Sequence, residues 1–265
     1  MSAKIVMDVG YVTGTKHLMR MKVSGHLMDR LDVPVVYPED VAGMCGKCKG
    51  VNGGCSIYAP YFEHIKPSQS HIFIVDVAFD MAWAIKFAYS NPAYGEIRNN
   101  YFCCGYGDII TDRYLRKLVN YLTDNTGLYG LGVGHCAGCR SKKMCTVLRG
   151  EPCINMAGRR YSIEATGVEC STLNERLYGQ RLGWWYKNAA LPILMRRYGG
   201  VMTTPDNQEE LESLLFQATR SIKSYMPVED TPEPPEYTME MLDVPEEACG
   251  EAGQYPAYVD IERAV

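Results

Sequence analysis

Cysteine carries most of the chemistry legible in this chain: there are eleven thiols in 265 residues, and seven fall into two groups. The first group is Cys45-Gly-Lys-Cys48 followed by Cys55; the second is Cys136-Ala-Gly-Cys139 followed by Cys145 and Cys153. Each opens with C-x-x-C in a glycine-containing loop. Two intervening residues let the backbone curl around one ion or cluster, and glycine permits the φ > 0 turns that such curling demands. The second group offers four thiolates within eighteen residues, a full ligand set for a [4Fe–4S] cluster or a Cys₄ zinc ion. Arg140, Lys142, Lys143, Arg149, Arg159 and Arg160 surround it in sequence. Such cations lower thiol pKa values and offset the charge of a thiolate-bound cluster. The first group has three clustered thiolates, so its fourth ligand is either exogenous or one of Cys103, Cys104 and His135. Cys170 and Cys249 read as structural or incidental.

The surroundings point to a reduced, globular setting. The opening MSAKIVMDVG lacks the charged start and apolar run of an export signal, and an odd cysteine count does not favour a disulfide framework. A cytoplasmic protein is the expectation. With 46% apolar and 22% charged residues and no run of about 18 apolar residues, neither a disordered nor a membrane-spanning chain is expected. The net charge of −4 divides unevenly: residues 226–265 hold eleven Asp/Glu against Arg263 alone, so residues 1–225 carry a net +6. Six of the fourteen prolines lie in that same acidic segment. The chain therefore reads as one cysteine-rich α/β domain over 1–225 and an acidic, Pro-rich tail over 226–265.

The elements that must position the thiols follow from periodicity. Lys4–Val9, Met19–Val23, Val33–Tyr37 and Leu128–Val133 read as short strands, and His71–Phe79 as a buried one. Helices are expected over Met81–Ser90, capped by Asp80, over Asp112–Asn125, and over Ser171–Tyr178. The strongest helical pattern is Asn207–Ser224, with Asp206 as N-cap, Glu209 three residues on, and Leu211, Leu214, Leu215, Ala218 and Ile222 as its apolar face. Residues 38–56 and 135–160 read as loops. The expected fold class is α+β (or α/β): a mixed sheet flanked by helices, with cysteine-rich metal-binding loops and the acidic tail.

Two longer stretches resemble the DUF2284 family of metal-binding proteins, widespread in anaerobic bacteria and archaea. Cys45-Gly-Lys-Cys48 through Cys55-Ser-Ile-Tyr-Ala-Pro60 is similar to its first motif, although Ser56-Ile57 stands where the family has prolines. Gly134-His135-Cys136-Ala-Gly-Cys139, Cys145, Glu151-Pro152-Cys153 and Arg160-Tyr-Ser-Ile-Glu164-Ala-Thr-Gly-Val168 resemble its C-terminal signature. The resemblance spans roughly residues 40–170 and implies metal binding, most plausibly iron–sulfur. It implies no settled reaction.

The leading expectation is thus an iron–sulfur protein with one or two [4Fe–4S] clusters held by Cys45, Cys48, Cys55, Cys136, Cys139, Cys145 and Cys153. It would act in electron transfer or reductive chemistry in an anaerobic cytosol, with a redox partner protein. Tyr58, Tyr61, Tyr101, Tyr106 and Tyr161 are available to wall a cluster off from water, or simply edge the core. A structural zinc protein that binds a protein or nucleic-acid partner is the alternative. Against it, 87 residues separate Cys48 from Cys136, far beyond a zinc-ribbon spacer of about 15–20, and no nucleic-acid recognition motif is present. A thiol–disulfide oxidoreductase using one C-x-x-C is a further alternative, disfavoured because no strand–helix unit frames Cys45–Cys48. Within the second signature, Glu164 is expected to pair with Arg159 or Arg160, Ser162 to cap a short turn and Gly167 to end it. No nucleophile–base pair and no nucleotide-binding glycine motif is evident.

Overall fold

The computed structural model describes residues 5–13, 16–36, 56–80, 107–134, 136, 138, 145–179, 194–222 and 225–227. Its strands are β1 (Ile5–Thr13), β2 (Lys16–Asp29), β3 (His71–Asp80), β4 (Tyr129–Leu131), β5 (Leu194–Thr203) and β6 (Tyr225–Pro227). Its α-helices are α1 (Gly107–Thr126), α2 (Cys170–Tyr178) and α3 (Gln208–Ser221). Among the described residues the strands form one sheet in the order β4-β5-β3-β2-β1-β6, and each of these pairs is antiparallel. The fold is α+β; the expectation of a mixed sheet is corrected by this pairing.

Both faces of the sheet centre are covered, which explains the near-continuous apolar run of β3. On one face lie α1 and α3. Tyr114, Leu115, Leu118, Val119 and Leu122 of α1 are buried, as are Leu211, Leu215 and Ala218 of α3. The fit is close enough that glycine is required twice. A Cβ on Gly25 would lie 2.6 Å from the Phe73 ring and 2.8 Å from Leu215, and one on Gly199 would lie 2.9 Å from the Leu131 carbonyl oxygen. On the other face, Ile72, Ile74, Tyr198, Met202 and Leu131 pack against Val33, Phe62, Ile65, Ile163, Val168 and Leu173. Arg30 fastens this second layer: its guanidinium donates to the carbonyls of Phe62 (2.6 Å), Ile65 (2.6 Å) and Lys66 (3.1 Å).

Several expected elements change. The β1–β2 hairpin is longer than its apolar cores suggest, because the alternating polar residues of β2 extend the strand instead of ending it. Of the strand expected over Val33–Tyr37, the described residues 33–36 form no strand and contribute one bridge, Val35 to Val168. The helix expected from Asp112 begins at Gly107. Asp206 does not cap α3: it lies in a 3₁₀ turn, Pro205–Asn207, and Asn207 occupies the cap position. β5, next to the central strand, and β6, which takes up the first two residues of the acidic segment, had no counterpart in the sequence reading. The helix expected over 81–90 lies outside the described residues, as does the acidic segment beyond Pro227.

Candidate functional site

The second cysteine group emerges from the edge of the sheet. Directly after β4, Gly132 bridges in parallel to Ser162: Gly132 N–H donates to the Tyr161 carbonyl (2.8 Å) and Ile163 N–H to the Gly132 carbonyl (3.0 Å). Gly134 then turns the chain with φ +60°, and Cys136 follows. A side chain at 134 would meet Asp112 Oδ2 at 2.8 Å, so glycine is needed there for both conformation and space.

Two side-chain clamps tie the returning loop to this turn. The Asn155 amide donates to the Gly138 carbonyl, while its Oδ1 accepts from Gly158 N–H (3.0 Å). Gly138 lies so close to the Gly158 carbonyl oxygen that a Cβ would stand 2.6 Å from it. Farther along, Thr146 Oγ1 donates to the Pro152 carbonyl (2.6 Å) and Glu151 N–H donates to the Thr146 carbonyl (3.1 Å). The first clamp joins the neighbourhoods of Cys136 and Cys153; the second joins those of Cys145 and Cys153.

All three of these cysteines are half-buried, and none is in a disulfide. Among the described residues, however, no three His, Cys, Asp or Glu side chains converge closely enough to hold a metal ion. The clamps tie the backbone segments around the three cysteines into one loop cluster. Cys139, Cys45, Cys48, Cys55, Cys103, Cys104 and His135 lie outside the described residues, with Cys249.

The residues that follow the first cysteine group in sequence meet the loop of the second. The 3₁₀ turn Ser56–Tyr58 directly follows Cys55, and Arg159 Nη2 donates to the Tyr58 carbonyl at 3.5 Å. Tyr61 packs on Gly167, where a Cβ would lie 2.5 Å from its ring. Segments about 100 residues apart in sequence are thus neighbours.

The basic residues are partly committed. Arg149 pairs with Glu151 (3.2 Å), Arg159 stacks on Tyr161, and Arg160 donates to the carbonyls of Ala157 (2.7 Å) and Arg159 (3.1 Å) and to Thr123 Oγ1 (3.3 Å). The expected pairing of Glu164 with Arg159 or Arg160 is therefore not formed. Glu164 instead accepts from Ser162, which is not a cap, and sits near Asp112 and Arg197. Desolvation raises the Glu164 and Asp112 pKa values above the ordinary carboxylate range, although Arg197 opposes the shift in both. Gly167 ends the turn Glu164–Thr166 with φ 99°, as expected. Burial and the nearby Glu164 and Glu169 push the Cys170 thiol well up, which keeps it protonated and inert, in keeping with a structural role. Tyr129, beside Tyr161, is pushed up to about 12, first by burial.

A second polar cluster went unread in the sequence. Asp76, with no exposed surface, accepts from Arg196 Nη1 (2.6 Å) and from Tyr178 OH (2.6 Å). His26 Nε2 lies 2.9 Å from Tyr178 OH and 3.4 Å from Asp76 Oδ2, and the Arg196 guanidinium sits 3.6 Å from the Tyr178 ring centre. Burial and the Asp76 charge raise the Tyr178 pKa far above the ordinary phenol value, so its hydroxyl acts as a donor. This ring of partners ties α2 to β2, β3 and β5. The available signal was an aspartate inside the apolar run Ile72–Ala78.

No protein-family model matches the chain, and neither curated proteins nor solved structures show a match to it. No described helix is long and apolar enough to cross a membrane.

Proposed function

We propose that the chain is an iron–sulfur protein of a reduced cytosol. A [4Fe–4S] cluster would be held by Cys136, Cys139, Cys145 and Cys153, and a second centre by Cys45, Cys48 and Cys55 with a fourth ligand. The observation that supports this reading most is the pair of clamps from Asn155 and Thr146, which bring the neighbourhoods of Cys136, Cys145 and Cys153 together with no disulfide among them. The donor set is soft thiolate in a glycine-rich loop, the kind that iron–sulfur clusters take. Metal–thiolate bonds supply the final closure of such a loop, because binding and local folding are coupled.

When bound, such a cluster exchanges single electrons. The loop that would hold it leaves the edge of the sheet, Tyr161 and Tyr58 are half-buried on the flanking segments, and Arg159 donates to the Tyr58 carbonyl. Ile57, Ile154 and Met156 are large apolar side chains left 59–67% exposed on the same loops, a surface suited to a redox partner.

Anaerobic purification followed by iron, acid-labile sulfide and zinc analysis tests the reading. Iron with sulfide and a broad visible absorption that bleaches on reduction is expected. Cys153→Ala should lower the iron content by one cluster, and Cys170→Ala should leave it unchanged. Stoichiometric zinc in a colourless protein would replace this reading with the structural zinc one, and a metal-free protein with a titratable dithiol would leave only the oxidoreductase.

A further inference from the structure

A cleft of about 410 Å³ opens between α1 and the loops that carry the second cysteine group. Its α1 lining includes Asn120 and Asp124, spaced by four and so neighbours on one side of the helix. Its loop lining is pinned: the Gly132–Ser162 bridge holds one part, and the Asn155–Gly138 clamp holds another. Several polar groups of the lining are already spent. Arg160 Nη1 donates to the carbonyls of Ala157 and Arg159, and its Nη2 to Thr123 Oγ1. Arg116 interacts with Asp112, Ser162 Oγ donates to Glu164, and the Gly138 carbonyl accepts from Asn155. The side chains of Asn120 and Asp124, both exposed, have no partner among the described residues.

We propose that this cleft binds a free guanine nucleoside by one edge of its base. An ionised carboxylate only accepts, so Asp124 calls for donors. It is best met by two parallel N–H groups, as it is by a guanidinium fork. Asn120 lies one helical turn away, about 5–6 Å between Cβ atoms, and its amide donates to a carbonyl on the same edge. The order wanted along one planar edge is therefore donor, donor, acceptor. Guanine has it in its amino group, ring N–H and carbonyl. Adenine would set a bare ring nitrogen against the carboxylate, cytosine offers its amino group with no neighbouring ring N–H, and uracil flanks its N–H with two carbonyls. Charge also favours a neutral ligand: a cation drawn to Asp124 would meet Arg160, and an anion would meet Asp124. With its donors engaged by three partners, the Arg160 guanidinium is held in one plane and still offers a flat surface for stacking. Tyr161, Val119 and Val133 add apolar lining, in a volume within the usual range for small-ligand sites. Reading a base edge in this way needs no phosphate-binding glycine loop.

This inference is separate from the identity of the metal, because no lining side chain is a proposed ligand. Isothermal titration calorimetry of the full chain, purified anaerobically, tests it with guanosine, inosine and adenosine as probes. One guanosine per chain should bind. Inosine, which lacks the amino group, should bind about tenfold more weakly, the scale of a lost charge-assisted hydrogen bond, and adenosine more weakly still. Asp124→Asn should weaken guanosine binding by about tenfold and remove its advantage over inosine, whereas Asn120→Leu should weaken both nucleosides alike. Both positions are exposed, so the circular dichroism of each variant should match that of the parent. Absence of guanosine binding, inosine or adenosine binding as tightly as guanosine, or a guanosine affinity indifferent to both substitutions would overturn the proposal.

Discussion

Asp76 and Glu164 are two carboxyls placed in opposite circumstances. Asp76 is wholly buried but answered by Arg196, Tyr178 and His26. Removing one partner of such a pair leaves the other charge uncompensated, at a cost of about 3–5 kcal/mol. Asp76→Ala should lose stability on that scale in urea denaturation; a loss below about 1 kcal/mol would show that Arg196 finds another partner. Glu164 has its pKa raised in the folded state by desolvation. The sign follows from linkage: the native state holds its proton more tightly, so the fold carries no penalty from this group below the unfolded pKa of about 4 and a growing one as pH rises toward the folded value. Asp112 acts in the same direction. Glu164→Gln, which keeps an acceptor for Ser162, should therefore raise the melting temperature near neutral pH and leave it little changed near pH 4. At this scale the sequence was informative about residue type and silent about partners. An aspartate in an apolar strand announces a buried partner, but nothing local names Arg196, 120 residues away.

At the scale of elements, the apolar stripes of α1 and α3 and the buried strand β3 are legible because local periodicity alone selects them. β5 is hidden by its own composition. Arg196-Arg197 reads as surface and Gly199-Gly200 as a turn, yet both pairs lie within the strand. The arginines point to opposite faces, one to Asp76 and the other to Asp112 (3.4 Å), and the glycines admit neighbouring backbone. A methyl on Gly199 would press on the Leu131 carbonyl oxygen, and one on Gly200 on that of Phe73, each at 2.9 Å. Gly199→Ala should cost about 1–3 kcal/mol through overpacking, measured by thermal or urea unfolding. The Asn155 clamp belongs to the same scale. Asn155→Ala should loosen the Gly138 turn, and hydrogen exchange at residues 136–158 should rise while the sheet amides keep their protection.

Across the whole molecule, β6 draws residues of the acidic segment onto the β1 edge through Gly10–Met226 and Val9–Pro227. Pro227 is tolerated there because an edge strand need not donate on its outer side. A chain ending at Pro227 should unfold at the same temperature as the full chain, and one ending at Ser224, which uncovers β1, should unfold lower; equal melting of the two truncations would mean that β6 contributes nothing.

The sequence by itself determined that the chain is rich in thiols, that these fall in glycine-bearing loops, and which stretches become the buried strand and the amphipathic helices. These are properties of residue type and of spacing over a few positions. Only the tertiary structure decided that Tyr58 meets Arg159, that Asn155 grips Gly138, and that Arg116 and Arg160 line one cleft. Those juxtapositions depend on how β4 and the Gly132–Ser162 bridge that follows it turn distant segments toward one edge of the sheet. Contact across such distances is a property of the assembled layers and leaves no periodic trace in the chain.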